Sequence, residues 1–480
     1  MPEAQTPDGQ EYFDVFESPF SYRYGSDEMR KVWSENHKWE LASQLWTEVA
    51  RAQHAAGLVT ADELADLEAH VGQIDFNRLC EIERETRHDV VAGIRAFQEV
   101  ATVGGRVIHH GMTSEDMTSN VDTMRNREAL GIIRNGLDET LLGFAERIEE
   151  LADMPCMGWT HMQPAEPVTV GYRLGVHAYN LLEDRRRLDW TMDNIRSKGI
   201  KGAVGSAASF QAILTGTNMS PDQLEEMVMD RLGLKPALIT TQVSPRKYDA
   251  WIADALMGIG DSLHQFGLNA RIMQSPPFGE WSESRGKKQV GSSAMPWKRN
   301  PVGAENIMSL ARGILGDQVN AHNVAMNQVL ERGIDDSGDR RITNPDMFLR
   351  ADEALRRADK LVRGLVIHEP AVQRHLDTYG PFSAIEKVLA AAVEAGADRQ
   401  ATHEALREIA IEASAAVERG EANPLIDMAA NNPTLAEVSM LSGDAIADLF
   451  DDDIRLHTGT AAQRSRQLVD EIRTSCQQSS

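Results

Sequence analysis

Apolar residues recur along the chain with helical spacing. Leu137, Leu141, Phe144, Ile148 and Leu151 follow one another at steps of four, three, four and three. Ile252, Leu256, Ile259, Leu263 and Phe266 repeat the pattern, and a third stripe runs through Leu355, Ala358, Leu361, Val362 and Leu365. A 3.5-residue average period places such side chains on one face of a helix, as a seam for long helices packed at shallow angles. Convincing period-two alternation is scarce, so the pattern predicts an all-α protein. Each stripe, taken by itself, predicts core packing.

Turn-forming residues divide the pattern. Gly104-Gly105 and His109-His110-Gly111 close an N-terminal helical part, 1–112. A central part, 113–368, holds the three stripes and is broken by Gly- and Pro-rich loops at 154–171, 198–220 and 275–303. An alanine-rich helical part, 369–480, starts at His368-Glu369-Pro370, with further breaks at Pro424 and Pro433. No solenoid-period repeat occurs.

Composition narrows the function. The chain has 480 residues with a hydrophobic fraction of 42% and a charged fraction of 25%, close to an ordinary globular protein, which argues against wholesale disorder. Its net charge of −24 argues against coating nucleic acid or anionic membrane. A local arginine cluster can still override that field inside a cleft, so an anionic small molecule remains open. Lysine is scarce, 11 against 38 Arg, a bias that a GC-rich genome and adaptation to salt both produce. Cys80, Cys156 and Cys476 are too few and too scattered for a disulfide framework or a metal knuckle. The polar, acidic start does not read as a signal peptide, and no apolar run approaches a membrane span. The expected setting is reducing and cytoplasmic. No GxxxxGK[ST], HExxH or Cys/His cluster is present, so neither a nucleotide cofactor nor a metal is expected.

The most informative segment is Gly291-Ser-Ser-Ala-Met-Pro-Trp-Lys-Arg-Asn-Pro301. Helix breakers bound it, and it follows the polar run Ser282–Gln289, which predicts a mobile loop. Within it stand two hydroxyls, two cations and an amide. Lys298 offers a point charge, Arg299 a planar fork and Asn300 a directional donor, a set suited to covering an anion. Composition alone would make this a solvated basic linker.

The string GSSAMPWKRNP resembles the signature GSSxMPxKxNP of the fumarase/aspartase superfamily of elimination enzymes. Within that superfamily the chain resembles the adenylosuccinate lyase family along nearly its whole length. The supporting segments are Arg23-Tyr24, Arg84–Ala92, Thr113–Asp116, Thr160–Pro164, Lys201–Phe210, Ile239–Lys247 and Glu331–Ile342. The MP-x-KRNP form and the RHDV segment favour this family over argininosuccinate lyase, fumarase or aspartase. Trp297 stands where relatives often carry Tyr or His, and the segment Leu456–Ile472 looks closer to longer lyases of eukaryotic type.

The resemblance implies an all-α, three-domain fold, a homotetramer with active sites built from three subunits, and no cofactor. The implied reaction is cleavage of a C–N bond in adenylosuccinate, giving AMP and fumarate, and the same elimination on the succinyl-carboxamide ribotide of purine synthesis. A proton must leave a carbon next to a carboxylate, building an enolate-like dianion that fixed cations and donors must stabilise. The departing nitrogen needs a proton from the opposite face, because the elimination is anti.

By resemblance Ser292 is the base and His161 the general acid. A free serine hydroxyl is far too weak, so Ser292 requires a closed site with positive charge at hand, and Lys298 is its neighbour in sequence. Ser293 is the competing assignment. An imidazole holds and releases a proton near neutral pH, and His161 is expected at a loop-to-helix junction facing a cleft. His88, flanked by Arg87 and Asp89, is a second catalytic candidate that more naturally orients substrate or holds phosphate, and the two histidines could exchange roles. His109 and His110 read as structural. Glu305 is a candidate to hold Lys298 or polarise His161. The resemblance assigns substrate anchoring to Arg23, Tyr24, Arg87, His88, Asp89, Thr113, Ser114, Gln242, Lys298, Asn300, Arg332, Ser337 and Arg341. Thr113-Ser114 precede a helical run, a favourable place for an anion, and Arg332 and Arg341 suit bidentate contacts. The rival readings are another fumarate-releasing lyase, a carboxymuconate cycloisomerase, and a lyase-derived structural protein without catalysis.

Overall fold

The three apolar stripes lie on three long helices, with Leu151 and Leu365 just past two of the helix ends, and every residue in them is buried. In the computed structural model, which describes residues 16–286, 288, 291–450 and 457–477, the helices are Ser114–Glu150, Lys247–Gln274 and Asp335–Arg363. Val170–Asn194 and Val302–Met326 are two more of at least 25 residues. The acidic start lies outside the described residues, as do Lys287 and Gln289 of the polar run and Leu456 of the tail segment.

The chain forms two compact units, each discontinuous in sequence. One comprises Met1–Leu137, Glu183–Asp261 and Ser309–Arg356; the other comprises Asp138–Leu182, Ser262–Met308 and Arg357–Ser480. Each of the five long helices contributes one part to each unit.

In the first unit the Ser114–Glu150 helix packs on Asp335–Arg363, with Leu355 against the open face at Gly136. A second core gathers Trp39, Trp46, Phe97 and Phe210 with Leu45, Leu67 and Val228. The shorter helices around it are started by side chains that accept the orphan N–H groups of the first turn. Thr60 and Glu63 form a capping box, Ser220 and Gln223 another with Pro221 behind the cap.

In the second unit Phe144 meets Phe266 edge-on at 5.0 Å between the Ser114–Glu150 and Lys247–Gln274 helices. Helix Glu369–Ser383 opens the alanine-rich part, where Leu389, Leu406, Ile409, Leu425 and Phe450 share a core of their own. Pro424 and Pro433 stand at the starts of short helices, as expected of residues that cannot continue one.

The segment 154–171 differs from its reading as a loop. It is an antiparallel hairpin, β1 (Pro155–Thr160) paired with β2 (Gln163–Thr169). Its prolines survive because a two-stranded ladder leaves each strand an unpaired edge. A Cβ at Gly158 would stand 2.4 Å from the Glu166 carbonyl, so only glycine permits the bulge between Met157 and Trp159. A second pair joins β3 (Trp281–Ser282), which precedes the GSSAMPWKRNP loop, to β4 (Val366–Ile367), which follows the last long helix.

Candidate functional site

Four helices begin at one cleft of the first unit, about 420 Å³ in volume. Glu35 and Lys38 come from the first turn of Glu35–Ala55, and His88 and Asp89 from the start of Asp89–Val100. Thr113 and Ser114 open Ser114–Glu150, and Ser337, Arg340 and Arg341 lie at the beginning of Asp335–Arg363. Helix N-termini carry unsatisfied N–H groups and the positive end of the helix dipole, which favour an anion. Lys38, Arg125, Arg246, Arg332, Arg340 and Arg341 line the cleft against four carboxylates, Glu35, Asp89, Glu115 and Asp122. The lining is therefore net positive in a chain of charge −24.

The local sequence sets this geometry. Arg87 ends the Phe76–Thr86 helix in the left-handed region, at φ 52°, and its N–H bonds the Glu83 carbonyl at 2.7 Å. That residue turns the chain so that His88 becomes the cap of the next helix. The left-handed backbone costs a non-glycine residue roughly 1–2 kcal/mol, which the packed corner must offset. Beside Thr113, the wholly buried Asp116 accepts the N–H groups of Thr113, Lys201 and Gly202 and pairs with the buried Lys198 ammonium. The TSED turn is thereby locked to the KGAVG loop. Pro345, inside the Asp335–Arg363 helix, removes the N–H that would bond the Arg341 carbonyl one turn earlier.

Several cations are already paired. Arg332 lies 3.0 Å from Glu115, Arg341 is 2.7 Å from Asp89, and Arg340 spans Asp249 at 3.0 Å and Asp122 at 3.3 Å. Burial pushes the Asp89 carboxyl up, but the positive charges of Lys38 and Arg341 outweigh it and hold the group below the ordinary aspartate value. His88 stands with its Nδ1 3.6 Å from that carboxylate.

Eight of the residues singled out from the sequence thus share one cleft: His88, Asp89, Thr113, Ser114, Gln242, Arg332, Ser337 and Arg341. Arg87 is exposed beside it. Arg23 and Tyr24 do not line it; the Arg23 guanidinium lies 5.9 Å from the Tyr24 ring centre. Lys38, Arg125, Arg246 and Arg340 were not singled out. Arg246 and Arg340 fall within the SPRK and GDRRI strings, so proximity to those motifs was a usable signal. Lys38 comes from a helix without a motif, and Arg125 lies nine residues beyond the TSED segment that opens its helix.

The remaining sequence candidates belong to the second unit. His161 is not at a loop-to-helix junction. It forms the two-residue tip of the β1–β2 hairpin with Met162, both exposed and both left-handed, at φ 53° and 63°. A two-residue hairpin turn with positive φ at both positions is one where Asn and Gly are usual. A histidine and a methionine there are strained, a condition found at functional positions. The hairpin is held from below: Arg173 donates to the Met157 carbonyl and pairs at 2.7 Å with the wholly buried Glu280, whose other oxygen lies 2.7 Å from His375 Nδ1.

Ser292 Oγ accepts the N–H groups of Ala294 at 3.3 Å and Met295 at 3.1 Å, so its hydroxyl caps a turn within the loop. Asn300 donates its amide to the Gly291 carbonyl at 3.1 Å. Lys298, Arg299 and Trp297 are exposed. Glu305 lies 3.8 Å from Arg271. Outside both groups, the Trp46 indole donates to His109 Nδ1 at 3.2 Å, and burial pushes that imidazole down to about 4, as befits a structural residue. Among the described residues no group of three or more His, Cys, Asp or Glu is placed to hold a metal ion, and no helix is long and apolar enough to cross a membrane.

The fold is shared with solved enzymes. A fumarate lyase from Mesorhizobium sp. BNC1 superposes with a TM-score of 0.81 at 21% identity, covering 95% of this chain and 99% of that one. A 3-carboxy-cis,cis-muconate lactonizing enzyme from Pseudomonas putida gives 0.80 at 24%, with the same coverage. The family model described as "Lyase" matches residues 21–316, and that described as "Adenylosuccinate lyase C-terminus" matches 381–468. The family models place the chain among the lyases.

Curated relatives narrow the class. Adenylosuccinate lyase of Schistosoma mansoni is 32% identical over 449 residues, 90% of this chain and 93% of that protein. That of Saccharomyces cerevisiae is 34% identical over 421 residues, 86% and 87% respectively, and that of Pyrococcus abyssi 32% over 399. The chain belongs to the adenylosuccinate lyase family.

Proposed function

We infer that the protein is a C–N lyase that eliminates fumarate from adenylosuccinate, leaving AMP, and acts likewise on the succinyl-carboxamide ribotide of purine biosynthesis. The observation that carries this reading is the cleft where four helices begin, net positive in an acidic chain and lined by the residues that the family resemblance assigns to substrate. A phosphate or carboxylate placed there meets backbone N–H groups, the Thr113, Ser114 and Ser337 hydroxyls, and the forks of Arg332 and Arg341.

In the proposed reaction Ser292 removes the proton from the carbon next to a succinyl carboxylate. Charge then accumulates on that carboxylate, and Lys298 stabilises it. His161 protonates the departing nitrogen from the opposite face, and the C–N bond breaks to release fumarate. His88 orients substrate or holds its phosphate. Glu305 supports Lys298 or His161, and Asn300 keeps the loop folded while offering a donor. Arg23, Tyr24 and Arg87 complete the anchoring set.

The proposed assembly is a cytoplasmic homotetramer with sites assembled from several subunits, and the proposed domain division is 1–112, 113–368 and 369–480. Support for association comes from the Val302–Met326 helix, which leaves Leu315, Val319 and Met326 at 49%, 63% and 78% exposure. Aligned apolar side chains left open in this way mark an interface.

The reading is tested by incubating the purified protein with adenylosuccinate and, separately, with argininosuccinate. Equimolar AMP and fumarate from the first, and no product from the second, is the expected result. Turnover of argininosuccinate alone, or of neither, would overturn it.

A further inference from the structure

We propose that Glu283 is a positioning residue that clamps together the two stems of the loop bearing Ser292 and Lys298; its effect on catalysis rests on the lyase reading above. Its carboxylate crosses the base of the loop. One oxygen accepts the Gly303 N–H at 3.0 Å and the other the Ala304 N–H at 2.8 Å. Both donors belong to the first turn of the Val302–Met326 helix, whose N–H groups have no partner within the helix. A carboxylate is a charge-assisted acceptor there and is favoured by the helix dipole.

Three further contacts make this a built junction. A Cβ at Gly303 would lie 3.0 Å from the Glu283 carboxylate, so glycine leaves the oxygens room to sit flush against the backbone. Gln274, the last residue of the Lys247–Gln274 helix, accepts the Glu283 N–H at 3.0 Å and donates to the Arg299 carbonyl at 3.1 Å. Glu283 itself follows directly on β3, which is paired with β4. One stem therefore rises from a fixed strand and the other enters a fixed helix, with Glu283 and Gln274 bridging them.

The clamp reaches the chemistry through the loop's own backbone. Asn300, next to the second stem, holds the Gly291 carbonyl, and Gly291 admits the Lys298 carbonyl where a Cβ would stand 2.1 Å away. Ser292 follows immediately. Changing the separation of the stems shifts Asn300, then Gly291, and with it the hydroxyl that must meet the substrate carbon and the ammonium that must meet its carboxylate. Glu283 touches none of the reacting atoms in this scheme.

The test uses the full-length protein and three variants: Glu283→Ala, Glu283→Gln and Gly303→Ala. The last disturbs the clamp without removing a charge. Each is measured for kcat and KM with adenylosuccinate, for trypsin cleavage after Lys298 and Arg299 under native conditions, and for global thermal unfolding. Expected for Glu283→Ala are a kcat about 10–100-fold lower with KM little changed, the cost of a small misplacement of reacting groups. Its loop should be cut about tenfold faster, as local opening becomes easier without global unfolding. Glu283→Gln should recover part of both effects and Gly303→Ala show both in milder form. Wild-type kcat and cleavage rate in Glu283→Ala would overturn the proposal. So would a kcat loss that follows lowered global stability while loop cleavage stays unchanged. If the wild-type protein cleaves no adenylosuccinate, the lyase reading fails, and the cleavage rates alone still decide whether the clamp exists.

Discussion

The carboxylate of Asp89 and the guanidinium of Arg341 meet at 2.7 Å at the cleft, joining the start of one helix to the first turns of another. Arg341 is 61% exposed, so this pair contributes little to stability by itself. Its value lies in holding a planar cation ready beside helix N-termini for an incoming anion.

Removing that cation should act on binding. Arg341→Ala is expected to raise KM for adenylosuccinate about 10–100-fold, the equivalent of one lost charge-assisted contact, while kcat falls much less. Steady-state kinetics at fixed ionic strength check this. An unchanged KM would remove Arg341 from the anchoring set.

Sites shared between subunits make two inactive chains complementary. Ser292→Ala and His161→Ala proteins, dissociated and reassembled together, should regain a measurable fraction of wild-type turnover. Activity is assayed on mixed oligomers verified by mass. No recovery in such oligomers would contradict shared sites.

Glu280 is wholly buried between Arg173 and His375 beneath the hairpin that carries His161. Glu280→Ala leaves the largely buried Arg173 without its carboxylate and should destabilise the fold by about 3–5 kcal/mol, whereas Glu280→Gln should cost less. Denaturant unfolding measures the difference. A loss below about 1 kcal/mol would mean the network does not secure the hairpin.

Acid sensitivity follows from two buried imidazoles. Burial pushes His177 and His109 each down to about 4. Between the ordinary histidine value of about 6.5 and about 4, the unfolded chain binds protons there that the folded chain refuses. Their contribution to stability is therefore full above pH ~6.5 and is lost as pH falls through this window. Asp317 acts in the opposite sense: burial pushes it up to about 6, so the fold gains from its protonation as the pH drops. His177 is 4% exposed, packs on Phe266, and its buried Nδ1 has no hydrogen-bond partner among the described residues. In His177→Leu the drop in unfolding temperature between pH 7 and pH 5 should be smaller than in wild type. An unchanged drop would assign the acid limb to other groups.

The long helices were legible because burial itself writes the 3.5-residue period, and the stripes from Leu137 to Leu365 are core. The hairpin was not. Pro155, Gly158, Pro164 and Pro167 look like loop residues, and what makes them strands is cross-strand pairing and the close approach of Gly158 to Glu166, which no local pattern records. At the cleft, motif strings identified Asp89, Thr113 and Arg341. Lys38 and Arg125 escaped because distance in the fold, not spacing in the chain, brings them there. The Glu283 clamp was illegible for the same reason: its partners lie 20 and 21 residues away across the loop.

The central claim is that Ser292 takes the carbon-bound proton and His161 protonates the leaving nitrogen. Its most direct test is the loss of adenylosuccinate absorbance, followed in parallel for wild type, Ser292→Ala and His161→Ala at saturating substrate. Each variant should lose about 10²–10⁴ in kcat while still binding substrate, the span of one acid–base group. Near-normal turnover by either variant would contradict that assignment.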